Sequence, residues 1–198
     1  MRYALVIHIF ALTKKEIIMA NKQVATFGGG CFWCIEAIIQ RLEGIESVVS
    51  GYSGGKTLDP TYRDICSGAT EHAEVIQVTF DADVISYEDL ITIFMTSHDP
   101  TTLNRQGADR GTQYRSIILY HNDEQKLIAE QVLGNLKDAF ENPIVTQLIA
   151  LEKFYQAEIY HQDYYNNNSS AGYCRVVINP KINKLKKTYA HLLKKEMV

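Results

Sequence analysis

A chain of 198 residues with 46% apolar and 22% charged side chains is long enough for one globular domain with a real core. Its net charge of −3 gives no general attraction to nucleic acid. Four cysteines do not make a disulfide-stapled mini-domain, and no apolar run reaches the roughly eighteen residues of a membrane span. From the N-terminus, Arg2 followed by Tyr3–Leu12 imitates a short signal-peptide core. No small-residue cleavage pattern follows, however, and Lys14, Lys15 and Glu16 interrupt the run. The reading therefore expects Met19 as the natural start, residues 1–18 as a mis-assigned or disordered extension, and 19–198 as a single cytoplasmic domain.

KQVATFG (22–28) reads as a strand that runs into three glycines. Residues 32–43 follow as a helix, with Ile35, Ile38, Ile39 and Leu42 on one face and Gly44 as its stop. SVVSGY (47–52) is a second strand, and a long polar loop (53–72) leads to a third, AEVIQVTF (73–80). Ser86 with Asp89 makes a capping box for a helix that carries Leu90, Ile91, Phe94 and Met95. A second long loop, HDPTTLNRQGADRGT, precedes a fourth strand at 113–120 and a helix at 123–140. A strand-like run (144–151) and an aromatic-rich loop come next. In the tail, six lysines face one glutamate over 181–198, with Ile182, Leu185, Tyr189, Leu192 and Leu193 at helical spacing. A docked C-terminal helix with its lysines in water follows from that pattern. The order β-α-β-β-α-β predicts an α+β fold with a ferredoxin-like split β-α-β core, a mixed sheet with helices on one side, long functional loops and a C-terminal extension.

The stretch GGGCFWC (28–34) concentrates the chemistry. Cys31 stands between a strand and a helix, where unpaired N–H groups favour a thiolate and lower a Cys pKa. The glycines are expected to keep the approach to it open. Phe32 and Trp33 form an apolar wall suited to a small apolar group. CxxC by itself reads as a redox pair, half a zinc site or unpaired thiols. Cys66 and Cys174 are single, with no second CxxC or HxxxH, so a zinc site lacks its remaining ligands. Glu74, opening a strand, is a candidate acid. Tyr62, Tyr114 and Asp109 lie in the two long loops, which at that length are usually functional.

GCFWC, SGYSGG, DPTYRDICSG, HAEVIQVTF, HDPTTLNRQGADRGTQYRS, HQDYY and GYC, in order, resemble the peptide methionine sulfoxide reductase A (MsrA) family, from about Val24 to Lys187. The resemblance implies reduction of methionine S-sulfoxide, free or in proteins, with no bound cofactor and no metal. It implies thioredoxin as reductant, replaceable by dithiothreitol in vitro, in a monomer that engages neither nucleic acid nor membrane. Cys31 would attack the sulfoxide sulfur and Glu74 would protonate the oxygen. Tyr62 and Tyr114 would bind that oxygen, Asp109 would orient the tyrosines or a water, and Phe32 with Trp33 would hold the methyl group. Cys31 is left as a sulfenic acid. Cys174, after a polar Asn/Ser/Gly stretch, resembles the family's resolving cysteine. Cys34 stands where many members have glycine, and it is the alternative resolver. Cys66 is expected to be structural. Two other readings stay open at this point: a general thiol–disulfide oxidoreductase using Cys31 and Cys34, and a redox-sensing module acting on a partner surface such as the basic tail.

Overall fold

The structure, a computed structural model, describes residues 21–197, so the expectations for residues 1–18 and for Met19 lie outside the described residues. In chain order the elements are β1 (Lys22–Gly28), α1 (Phe32–Ile39), β2 (Ile45–Ser53), α2 (Tyr62–Cys66), β3 (Ala73–Asp81), α3 (Tyr87–Ser97), β4 (Arg105–Gln106) and β5 (Asp109–Arg110). They continue as β6 (Ile117–Tyr120), α4 (Asp123–Leu136), β7 (Gln147–Ala150), β8 (Phe154–Gln156), α5 (Tyr164–Asn167) and α6 (Asn179–Thr188).

The main sheet has the order β7-β6-β1-β3-β2-β8 and is antiparallel except for the β6–β7 pair. β3 lies between β1 and β2, and β1 lies between β3 and β6. The β1-α1-β2 and β3-α3-β6 crossovers thus each span one intervening strand, as the split β-α-β reading requires. β4 and β5 form a separate small hairpin.

Strand alternation decides what each face carries. Along β3, Ile76, Val78 and Phe80 enter the large core with Ile35, Ile38 and Ile39 of α1 and Leu90, Phe94 and Met95 of α3. Ala73 and Val75 point the other way, into a small cluster with Ile117 and Leu119 that Leu151 and Phe154 cover. Glu74 shares the parity of Ile76, so a carboxylate is carried onto the helix side of the sheet, at the strand end nearest the head of α1.

Several boundaries differ from the sequence reading. Both long loops acquire short elements. Thr61 and Asp64 make a capping box that folds α2 inside the first loop, and the β4–β5 hairpin sits in the second. Such caps are worth about 1 kcal/mol each, enough to fix a short helix against packed neighbours. The fourth strand is shortened to Ile117–Tyr120 because Thr112–Tyr114 forms a tight 3-10 turn. The tail helix begins at Asn179 with Pro180 in its first turn and ends at Thr188, after which the chain returns to bridge Leu193 to Leu42.

Candidate active site

α1 begins directly after Gly30, with Cys31 as its N-cap in an extended conformation. The three glycines do not leave an open approach, as the sequence reading expects; they permit tight packing. A Cβ at Gly28 would meet the Glu74 carbonyl oxygen at 2.6 Å, and one at Gly29 would meet the His98 ring at 2.9 Å. Gly30 has φ +84, and a Cβ there would meet the Gln106 side chain at 2.6 Å. Only glycine lets β3, α3 and the hairpin close around the head of α1.

Glu74 is 2% exposed, and its Oε2 accepts the Phe32 N–H at 3.1 Å. Burial pushes its carboxyl up to about 8 against that hydrogen bond, with the negative charges of Asp109 and Cys34 adding to the rise. At neutral pH it is therefore a neutral acid that still holds its proton, seated beside a thiol.

The thiols depart from expectation. Burial, a hydrogen bond with Cys34 and the Glu74 charge push Cys31 well above its ordinary value, although it caps a helix. The helix end is already occupied: Phe32 N–H serves Glu74, and Cys34 N–H bonds back to the Cys31 carbonyl at 3.1 Å. Cys34 goes the other way, down to about 7, because the Cys31 thiol donates to it and Lys181 lies near. Within the pair Cys34 is the more acidic thiol, because Cys31 acts as donor to it.

Tyr62 and Tyr114 approach Glu74 from different elements, close enough to feel its charge. Tyr62 opens α2, its N–H bound to Glu158 Oε1 at 2.8 Å and its ring 4.4 Å from that of His161. Tyr114 ends the 3-10 turn, where its carbonyl accepts the Gly30 N–H at 3.1 Å. Both hydroxyls are held above the ordinary tyrosine range by burial first, with the Glu74 charge contributing, so they remain donors. Asp109, on the hairpin, accepts the Tyr173 hydroxyl at 3.2 Å rather than orienting Tyr62 or Tyr114. Tyr173 Oη also lies 3.6 Å from Cys34 Sγ.

Phe32 is almost fully buried, with its ring centroid 5.0 Å from that of His161 and 5.9 Å from that of Tyr52. Trp33 is half-buried; Tyr164 stacks on it at 3.6 Å, and its indole N–H has no partner among the described residues. Cys174 is fully buried at the start of the helical turn Cys174–Ile178, its thiol pushed up by burial and by nearby Cys34. Cys66 is exposed, near the Tyr62 hydroxyl.

Four residues without an assigned role in the sequence reading help to build the site. Tyr173 links Asp109 to Cys34, and His161 packs against Phe32, Trp33 and Tyr62 with neither ring nitrogen partnered among the described residues. Glu158 holds Tyr52 Oη at 2.9 Å as well as the head of α2. Glu36, fully buried on α1, takes Ser50 Oγ and the Asp163 and Tyr164 N–H groups, fixing α5 and with it the ring on Trp33. A lone acid in the apolar run FWCIEAII was the available signal for Glu36. Among the described residues no cluster of three or more His, Cys, Asp or Glu is placed to hold a metal ion. No helix among them is long and apolar enough to cross a membrane.

A family profile described as peptide methionine sulfoxide reductase matches residues 23–193. The chain belongs to that family. It is 59% identical over 164 residues to the peptide methionine sulfoxide reductase MsrA of Leptospira borgpetersenii, covering 83% of this chain and 93% of the relative. It is 54% identical over 168 residues to that of Natronomonas pharaonis, covering 84% and 94%. Reduced Mxr1 from Saccharomyces cerevisiae is similar in structure, with TM-score 0.72 and 32% identity over 77% of this chain and 89% of that one. Mxr1 has also been solved in complex with Trx2; that chain shares the fold at TM-score 0.51 and 22% identity, covering 75% and 91%. As a member of the family, the chain is a thiol-dependent reductase of methionine sulfoxide.

Proposed function

We propose that the enzyme reduces the S-epimer of methionine sulfoxide, free or in proteins, through Cys31 as nucleophile and Glu74 as acid. One observation carries this reading: a carboxyl raised to about 8 sits at the head of the helix that Cys31 caps. Cys31 passes its proton to the Cys34 thiolate and attacks the sulfoxide sulfur. Glu74 gives its proton to the sulfoxide oxygen. The hydroxyl ends on the Cys31 sulfur as a sulfenic acid, and methionine leaves with two electrons more than it brought. The Tyr62 and Tyr114 hydroxyls stabilise the oxygen as its charge grows. Phe32 and Trp33 form the apolar wall against the methyl group, and Asp109 acts through Tyr173.

Cys34 is the better placed thiol to resolve the sulfenic acid. Cys31 and Cys34 stand three residues apart at the head of α1 with their thiols interacting, so only a small closure brings their Cβ atoms to the roughly 4 Å that a disulfide needs. Cys174 would have to leave a buried helical turn. Condensation joins the two sulfurs and releases water, and Cys174, which lies near Cys34, then accepts the disulfide second. Thioredoxin regenerates the dithiol and is itself oxidised to its disulfide, in a cytoplasmic monomer without bound cofactor. That Mxr1 is found with Trx2 supports this choice of reductant.

The test is a single turnover with a methionine S-sulfoxide peptide, followed by peptide mapping. One methionine per enzyme is expected, with a Cys31–Cys34 link at early times. A Cys31–Cys174 link that precedes it would reverse the order of the two resolvers. A full burst from Cys31→Ser would remove the nucleophile assignment.

A further inference from the structure

Cys34 faces a cleft of about 290 Å³ lined by Cys31, the β4–β5 hairpin from Gln106 to Asp109, Tyr173, Val176, Val177 and Lys181. Two features of its border are not explained by sulfoxide chemistry. Val176 and Lys181 both line the cleft, and Val176 is 75% exposed. α6 carries Lys181, Lys184, Lys186 and Lys187 with no acidic residue. The ion pairs among the described residues are Lys22–Glu46, Lys56–Glu71 and Lys126–Glu130, so the α6 lysines keep their full charge. Lys181 and Lys184 are instead held in place by the Ser97 and Thr96 carbonyls.

We propose that this border is the docking surface for the reducing protein: a small protein that presents its dithiol between an apolar patch and acidic side chains. The proposal rests on the reading that Cys34 belongs to the disulfide being reduced. The partner's thiolate attacks Cys34 Sγ through the cleft, forming a mixed disulfide and releasing Cys174, which by then holds the relayed disulfide with Cys34, as a thiolate. The partner's second thiol then attacks the mixed disulfide. The partner leaves as its own disulfide, and Cys34 leaves as a thiolate, the more acidic thiol of its pair with Cys31. The apolar residues supply contact area, and the lysines steer an acidic surface toward the cleft and raise the rate of encounter. A membrane or nucleic-acid surface would be drawn by the lysines alone; the exposed Val176 at the mouth of a thiol cleft favours a redox protein.

The experiment compares thioredoxin with dithiothreitol as reductant for Val176→Asp, Lys184→Glu and their double variant. The double variant should show a KM for thioredoxin raised about tenfold or more, a difference of about 1.4 kcal/mol. Turnover with dithiothreitol and the single-turnover burst should change less than about twofold. For the wild type, raising salt toward about 0.5 M should raise the thioredoxin KM and leave dithiothreitol kinetics unmoved. An unchanged thioredoxin KM in the double variant, or an equal loss with both reductants, overturns the docking surface. Cys34→Ser separates the two ideas. If it cycles normally with thioredoxin, the reading of Cys34 fails. If it stops cycling while the double variant behaves as wild type, only the docking surface fails.

Discussion

Replacing Glu74 by glutamine should weaken catalysis and strengthen the fold, with the second effect growing between about pH 5 and 8. The buried carboxyl titrates near 8 instead of its ordinary 4.5. A group whose folded pKa is raised stabilises the fold below its unfolded pKa, and that contribution is lost as pH climbs through the folded value. From 4.5 to about 8, at about 1.4 kcal/mol per pH unit, the ionised form costs about 5 kcal/mol by pH 9, an upper bound because water can enter the cleft. Glutamine keeps the shape and can still accept the Phe32 N–H, but it never ionises. Urea unfolding should therefore give wild type and Glu74→Gln similar stabilities at pH 5. A gap in favour of the variant should widen from about pH 5, reach roughly 3 kcal/mol by pH 7 and level off just above pH 8. Over the same range, single-turnover methionine release should fall about 10²–10⁴-fold in the variant, the usual contribution of a general acid. Parallel stability curves from pH 5 to 9 would refute the raised acid, and wild-type rates in the variant would refute its role.

The pH dependence of kcat/KM should be a narrow bell. Its acid limb lies near 7, where Cys34 must be ionised to take the Cys31 proton, and its alkaline limb near 8, where Glu74 must still be protonated. A flat profile from pH 6 to 9 would contradict it. Tyr62→Phe and Tyr114→Phe should each slow the burst by about 10–10³-fold with little change in KM, and the double variant should fall short of the product, since both serve one oxygen. Equal effects on KM alone would show binding without transition-state stabilisation. His98 donates from Nδ1 to the Phe94 carbonyl and accepts at Nε2 from Ser116 Oγ, a pattern that requires the neutral ring, and burial holds its pKa down to about 4. A depressed folded value means that stability is present above pH 6.5 and is lost on acidification. His98→Gln should remove about 3 kcal/mol of the loss between pH 6.5 and 4, seen as a shallower stability curve in urea titrations.

What the sequence revealed and what it withheld divide by range. The element order, the capping box at Ser86 and the alternation of AEVIQVTF are local patterns, and the fold follows them. Glu74 could be picked out because a carboxylate in a buried strand is locally anomalous. Tyr173 and His161 were not legible as site residues. Their partners lie 64 residues away at Asp109 for Tyr173, and at Phe32, Trp33 and Tyr62 for His161, and no local pattern encodes such contacts. The polar run NNNSSAG reads as a flexible tether for Cys174. Yet Val177 and Ile178 pack against the core, and residues 174–178 wind into a turn that buries the thiol.

The same division explains why the unexpected cysteine is the more acidic. Position alone favours Cys31, the helix cap. That argument assumes free N–H groups at the helix end and access to water, and tertiary structure removes both. Glu74 arrives from β3 and takes the Phe32 N–H, while the glycine run lets His98 and Gln106 close over the cap. Cys34, one turn later, meets Lys181 and the Tyr173 hydroxyl at the edge of the cleft. The second cysteine of CFWC thus acquires two chemical tasks from its surroundings: it takes the proton of the nucleophile before attack, and it supplies the sulfur that closes the disulfide afterwards. Glycine at position 34 would remove both. Cys34→Gly should therefore slow the first methionine release as well as recycling, whereas a thiol that only resolved the sulfenic acid would leave the burst rate untouched.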